Sequence, residues 1–311
     1  MKKKIALIGG LGFIGTNLCK QLESKYDITI IDNFSCRGNL KYLKNIKKIK
    51  CDILNKQKLL KVTKNFNIII NLAAQTGVLE SKFNPSKSIY NNILGFYNVL
   101  EVSKINKIKK IINASTAGAI YGNSSKKKSD ENSKSMPKSY YALTKKFNED
   151  QSKIFNENKN LQILNLRFSN IYGPFSEHKK SLINSSIKNS ILKNIKTTIF
   201  GNGKQTRDFI YVKDVAKIIL LFLNSNKNID GIFNVASGKS FSVNKILSLI
   251  KIIDKEFSYK RGKSNPVEIK EVKISNVKLV KFLKLRNFFT SLEMGISETY
   301  KWYKSKYQKK C

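Results

Sequence analysis

Ile5-Ala6-Leu7-Ile8-Gly9-Gly10-Leu11-Gly12-Phe13-Ile14-Gly15 is the stretch that decides the fold of this chain. A short apolar run ends in glycines, and a helical pattern follows from Gly12 to about Ser24, which predicts strand, tight turn and helix. The spacing G-x-x-G-x-x-G, from Gly9 through Gly12 to Gly15, lets a pyrophosphate approach the backbone. The helix N-terminus then supplies N–H donors and the positive end of its dipole. A second apolar run, Ile28–Asp32, ends in an acid about twenty residues further on. A carboxylate there accepts both ribose hydroxyls and repels a 2′-phosphate, so Asp32, with Asn33 beside it, predicts NAD rather than NADP. Arg37 is the one nearby residue that would tolerate NADP.

Outward from that motif, strand-like and helix-like segments alternate. Apolar runs at Ile49–Asp52, Ile68–Ala74, Lys110–Ser115 and Leu161–Phe168 read as strands, and Asn91–Lys104 and Tyr141–Asn158 as helices. That alternation predicts an α/β fold with a Rossmann-type, doubly wound parallel sheet covered on both faces. After Gly173-Pro174 the pattern loosens into a helix at about Leu182–Leu192, a glycine-rich turn at Gly201–Gly203 and mixed segments. The expected division is a cofactor domain over 1–172, to which about 213–240 returns, and a smaller C-terminal α/β substrate domain over 173–311. Lys126–Asp130 and Asn224–Asn228 read as exposed loops.

The chain has 311 residues, of which 41% are hydrophobic and 10% aromatic, enough for a core of this kind. Apolar stretches such as Ile218–Leu223 are too short to cross a bilayer, and Gly9 and Gly10 interrupt any signal-like segment, so a cytoplasmic protein with no membrane partner is expected. Four scattered cysteines read as free thiols, and the single histidine, His178, rules out a His-rich metal site, so no metal is expected. The net charge of +38 invites a nucleic-acid reading. Yet only five of the 59 basic residues are arginine, and lysine is spread along the whole chain, as in a compositional drift with lysines on solvated faces. No nucleic-acid partner is therefore expected. The few arginines mark places that need a planar, bidentate donor.

Tyr141-Ala142-Leu143-Thr144-Lys145 places a phenol and an ammonium four residues apart on one helix face. A phenol ionises near pH 10 and is a poor base at neutrality, whereas an adjacent ammonium favours phenolate. Tyr141 and Lys145 are the expected catalytic pair, and both are expected to touch the cofactor.

Together, the three-glycine loop and Y-x-x-x-K resemble the extended short-chain dehydrogenases/reductases, specifically the NAD-dependent nucleotide-sugar epimerases and dehydratases (UDP-glucose 4-epimerase-like), over nearly the whole chain. The resemblance implies that Asp52-Ile53 contacts adenine, that Leu72-Ala73-Ala74 lines the cofactor, and that Asn92 heads a helix beside the active site. Ala114-Ser115-Thr116-Ala117-Gly118-Ala119-Ile120-Tyr121-Gly122 resembles the family's serine/threonine segment. Ala117 stands where many members carry the catalytic hydroxyl, so Thr116 is assigned that role, with Ser115 second. Arg167-Phe168-Ser169-Asn170-Ile171-Tyr172-Gly173-Pro174 and Gly201-Asn202-Gly203-Lys204-Gln205-Thr206-Arg207-Asp208 resemble its diphosphate-binding segments. They imply that Asn170, Arg207 and Arg261 hold substrate, with Arg167 and Asp208 structural. His178, just past Gly173-Pro174 and close to where the sugar is expected, reads either as a substrate hydrogen-bonder or as an exposed loop histidine.

The family's dehydratases carry an Asp-Glu pair and its decarboxylases a Glu where Gly118 and Ala119 stand here, and neither of these can move a proton. The implied reaction is 4-epimerisation of a UDP-hexose or UDP-N-acetylhexosamine, supplying polysaccharide precursors, by a homodimer built on the helices around Asn91–Lys104 and Tyr141–Asn158. A 2-epimerase, a glucuronate epimerase or decarboxylase and a 4,6-dehydratase are the enzymatic alternatives. A catalytically silent dinucleotide sensor or nucleic-acid binder is the other class.

Overall fold

The structure, a computed structural model, describes residues 2–122, 128–156, 161–193, 196–225, 227–263 and 270–308. Parts of three expected segments, Lys126–Lys127, Glu157–Asn158 and Asn226, lie outside these residues, as does the Arg37 side chain. The strands are β1 (Lys4–Ile8), β2 (Asp27–Asp32), β3 (Lys47–Lys50), β4 (Ile68–Asn71), β5 (Lys110–Thr116) and β6 (Gln162–Phe168). Six more follow: β7 (Asn170–Tyr172), β8 (Thr197–Phe200), β9 (Thr206–Tyr211), β10 (Gly231–Val235), β11 (Ser240–Ser242) and β12 (Tyr259–Gly262). Seven of them form one sheet in the order β3-β2-β1-β4-β5-β6-β10, every neighbouring pair parallel. The strand order reverses between β1 and β4, and the crevice beyond their C-terminal ends is where such a sheet binds ligand.

Parallel strands buried on both faces must be apolar on both, and the isoleucine runs of β1, β2 and β4 supply this. Ile5, Leu7, Ile30, Ile70 and Ile112 face a core shared with the helices Phe13–Leu22 and Val212–Asn224. Ala6, Ile8, Ile69, Ile111 and Ile163 face the helices Lys56–Val62 and Gly95–Ile105. A separate core, including Ile183, Ile199, Phe209, Ile246 and Ile296, joins the helices Leu182–Leu192, Val243–Ile253 and Leu292–Tyr307 to the small sheets β11-β9-β7 and β12-β8. The mixed C-terminal segments thus build their own packed layer. No helix among the described residues is long and apolar enough to cross a membrane.

Two elements differ from the sequence reading. The third strand runs over Lys47–Lys50 and stops short of Asp52: Cys51 N–H makes the last ladder bond, to the Asp32 carbonyl (2.9 Å), and the Asp52 carboxylate then accepts from Leu54 N–H (2.9 Å) in a turn. The helix expected over Asn91–Lys104 begins as a wide π turn, Tyr90–Leu94, and becomes regular only at Gly95–Ile105. A Cβ on Gly95 would come within 2.4 Å of Ile53 Cδ1 in the loop after β3, so the glycine lets the helix pack closely on that side chain. The widened turn buries Asn92, 1% exposed, against Gln75 and Thr144, and leaves Asn91 to line the crevice.

Candidate active site

The crevice at the β1/β4 switch is a cavity of 330 Å³ lined by Gly9, Gly12, Phe13, Ile14, Gly15, Asp32, Asn33, Ile53, Leu72, Ala73 and Ala74, among others. Its floor needs glycine. A Cβ on Gly15 would sit 2.5 Å from Gly10 O, and one on Gly9, whose φ is +75°, would sit 2.6 Å from Ala73 N. Asp32 lies at the end of β2, its Oδ2 accepting from Leu11 N–H (3.1 Å) and its Oδ1 from Phe34 N–H (2.8 Å). Burial raises its pKa, and the two backbone donors pull it back towards the carboxylate form. Asp52 and Asn92 stand behind the wall. Asp52 accepts from Asn33 Nδ2 (3.1 Å), and Asn92 accepts from Gln75 N–H (2.7 Å) and donates to Thr144 (3.0 Å).

These residues fit a dinucleotide: an open backbone cradle, a carboxylate at the ribose end and apolar walls. A wider recess of 960 Å³ lies at the opposite ends of the strands, among Lys2, Lys3 and Lys47, and none of the predicted site residues lines it.

Tyr141 and Lys145 lie on the helix Tyr140–Phe155, whose first turn is capped by Ser139 Oγ accepting from Ala142 N–H (3.2 Å). The half-buried Tyr141 is in hydrogen-bonding contact with Thr116; desolvation pushes its phenol up to about 12, and the Thr116 bond opposes that rise. Lys145, 3% exposed, donates to Ala114 O (2.8 Å) at the end of β5. Burial pulls its ammonium down to about 8, and the Glu149 carboxylate opposes the fall.

Of the two hydroxyls considered for assisting the phenol, the structure brings Thr116 to Tyr141 and turns Ser115 away. Ser115 Oγ donates to Glu149 Oε1 (2.6 Å) beneath the helix. Its assignment as second catalytic hydroxyl is corrected accordingly: the side chain is committed to a buried carboxylate.

A second cavity, of 280 Å³, contains Asn170, Arg207, Thr198, Phe200 and Tyr172. Asn170 Nδ2 donates to Asp208 O (3.0 Å), and Asp208, fully buried, accepts from Ser237 N–H and Oγ (3.0 Å each). A Cβ on Gly118 would meet nothing closer than Asn170 Nδ2, at 4.0 Å, so the space between the catalytic segment and this cavity is open.

Arg261 does not line that cavity. It is exposed, donating to Gly201 O (3.1 Å) and Asn244 Oδ1 (3.3 Å) at the end of β12. His178 lines the dinucleotide crevice, not the space beside Asn170 and Arg207, because the chain after Pro174 turns back over the first helix, where Asn17 donates to Pro174 O (3.0 Å).

A family model described as the NAD dependent epimerase/dehydratase family matches residues 5–236. The chain belongs to that family.

Among its relatives, the UDP-glucuronate 4-epimerase of Thermodesulfobacterium geofontis is 32% identical over 289 residues, covering 91% of this chain and 86% of the relative. The solved UDP-N-acetylglucosamine 4-epimerase of Methanobrevibacter ruminantium, in complex with UDP-N-acetylmuramic acid, is 32% identical with a TM-score of 0.88, over 98% of this chain and 100% of that one. The UDP-glucose 4-epimerase of Thermotoga maritima, solved with UDP-glucose, is 27% identical with a TM-score of 0.90, over 98% and 99%.

In this epimerase/dehydratase fold, the sequence reading missed the layer under the catalytic helix. Glu149, fully buried, accepts from Arg167 Nε (2.8 Å) and Nη2 (2.7 Å), while Arg167 Nη1 donates to Tyr121 Oη (2.7 Å). Beside it Asn71, Asn113 and Asn165, in register on β4, β5 and β6, link side chain to side chain at 2.9 and 2.8 Å. One signal was available: Glu149 follows Tyr141 and Lys145 at helical spacing on the same face.

Proposed function

We propose that the chain is an NAD-dependent 4-epimerase of a UDP-activated hexose or N-acetylhexosamine. The carrying observation is the segment Thr116–Ala119. Thr116 meets the Tyr141 phenol, and the next positions towards the open space beside Asn170 are alanine and glycine, with no carboxylate to move a second proton.

Tyr141 as phenolate removes the 4-hydroxyl proton, with Thr116 orienting that hydroxyl. Lys145 sits one helical turn along and favours the phenolate by its charge. The glycine cradle and Asp32 would hold NAD in the crevice, where it would supply the reversible hydride acceptor that the exchange at C4 needs. Asn170 and Arg207 hold the diphosphate, Arg207 through a planar fork suited to phosphate oxygens, so the 4-keto sugar turns without leaving. Arg261 reaches the same diphosphate if the end of β12 moves towards it, and His178 belongs with the cofactor.

The chemistry suits cytoplasmic supply of polysaccharide precursors. A homodimer is supported by the outer surface of the catalytic helix, where Leu143, Phe147 and Ile154 are 52%, 47% and 66% exposed while Thr144, Lys145, Asn148, Glu149 and Ser152 are buried. Leu94 and Tyr97 extend that face onto the neighbouring helix.

The test is to incubate purified protein with UDP-glucose, UDP-galactose and their N-acetyl and uronic-acid counterparts, following products by NMR. Interconversion of a C4 pair without added reductant, lost in Tyr141→Phe, is expected. Release of CO₂ or accumulation of a 4-keto product would overturn the reading.

A further inference from the structure

The segment Pro174–Lys179 crosses the mouth of the dinucleotide crevice. Its base is pinned by Asn17 to Pro174 O (3.0 Å), Asn39 to Phe175 O (3.1 Å) and Tyr42 Oη to Glu177 Oε1 (3.1 Å). Phe175 holds a left-handed φ of 64°, with its ring against Tyr42 (4.8 Å between centroids) and Trp302 (5.1 Å). Such a conformation persists where the surroundings over-determine it. The far end of the strap is Lys179, which lines the crevice and donates from Nζ to Thr76 Oγ1 (3.2 Å) on the opposite wall, just past Leu72-Ala73-Ala74.

We infer that Lys179 is the cation that grips the cofactor's pyrophosphate and latches the strap over it. The inference rests on the dinucleotide reading of the crevice. The glycine loop meets a pyrophosphate with neutral N–H groups, which satisfy its oxygens but leave its charge standing. Lys179 reaches across from a strap docked one turn beyond the start of the helix Phe13–Leu22, and its ammonium rests on a neutral hydroxyl that a phosphate oxygen can replace. Burial holds the ammonium below its ordinary pKa, with Cys36 and the Glu80 carboxylate opposing that only from a distance, so an anion beside it restores the charge. The role needs charge and reach, which arginine would also provide.

Bound dinucleotide is first measured in the protein as purified, and nucleotide-free protein is then titrated with NADH, ADP-ribose and adenosine. In Lys179→Met, binding of NADH and ADP-ribose should weaken about ten- to hundredfold, the scale of one charge-assisted hydrogen bond, while adenosine, which has no phosphate, binds as before. Lys179→Arg should retain most of the affinity, and the exposed neighbour Lys180, changed to Met, should alter nothing. Added salt should weaken NADH binding more steeply in the unaltered protein than in Lys179→Met. Equal loss of adenosine and ADP-ribose would reduce the strap to a structural element and overturn the inference, as would unchanged affinity for all three. Failure of the unaltered protein to bind any of them would instead overturn the dinucleotide reading.

Discussion

Glu149 and Arg167 form a bidentate ion pair between the catalytic helix and β6, at 2.8 and 2.7 Å, with only 0% and 2% of the two residues exposed. A pair this dry is held by its full set of partners, and here Ser115 and Tyr121 complete it. It replaces the apolar layer that a helix ordinarily sets against a sheet. Its Glu149 lies one turn beyond Lys145 on the same helix.

Removing one partner leaves the other charge buried and unpaired. Glu149→Ala and Arg167→Ala are each expected to cost about 3–5 kcal/mol. A double replacement by apolar residues of similar volume should recover much of that loss. Urea unfolding of the single and double variants measures the coupling directly, and additive losses would show that the pair does not act as a unit.

Lys145 gives a pH dependence of defined sign. Its folded pKa, about 8, lies below the ordinary 10.5, so between those values the unfolded chain holds a proton that the folded protein does not. The contribution of this group to stability is therefore present above 10.5 and is lost as pH falls towards 8. Tyr141, raised from 10.0 to about 12, acts in the other direction only above pH 10. Unfolding free energies at pH 7.5 and 9.5 should show a gain in the unaltered protein that is absent in Lys145→Met. Turnover should decline above about pH 8 as the ammonium is lost. In Glu149→Gln that decline should start at lower pH, because the carboxylate that opposes the fall is gone.

Thr116 and Ser115 are adjacent in sequence and meet different partners, Thr116 the Tyr141 phenol and Ser115 the Glu149 carboxylate. Thr116→Val should lower kcat by about 10²-fold with little change in melting temperature, since it removes a donor at the reacting hydroxyl. Ser115→Ala should keep kcat within a few-fold and lower stability by about 1–3 kcal/mol, since it strips a donor from a buried carboxylate. Steady-state kinetics paired with thermal melts separates the two outcomes. A larger kinetic defect in Ser115→Ala would reverse the assignment.

The outward apolar face of the catalytic helix predicts association. Leu143→Asp combined with Phe147→Asp should convert a dimer to monomers in light scattering coupled to gel filtration. A monomeric unaltered protein would leave that face without its expected partner.

The glycine loop, Asp32 and the Tyr141–Lys145 pair were legible in the sequence because each is a local device. Turn geometry, the strand-end acid and helical i to i+4 spacing put these groups in place within one or two elements. The paired sheet and its flanking helices were legible for the same reason, in runs of isoleucine and in periodicity, although the π turn at Tyr90–Leu94, whose Asn92 packs against Gln75 and Thr144 from other elements, was not. Tertiary structure alone decided the rest. It showed which of two neighbouring hydroxyls meets the phenol, that Glu149 finds Arg167 across the sheet, that His178 and Lys179 return to the cofactor crevice, and that Arg261 stands apart from Asn170 and Arg207. These relationships join side chains from separate elements, and burial sets their strength. A pattern along the chain records which groups are present, but the dry, shared space that makes them partners exists only once the layers have packed.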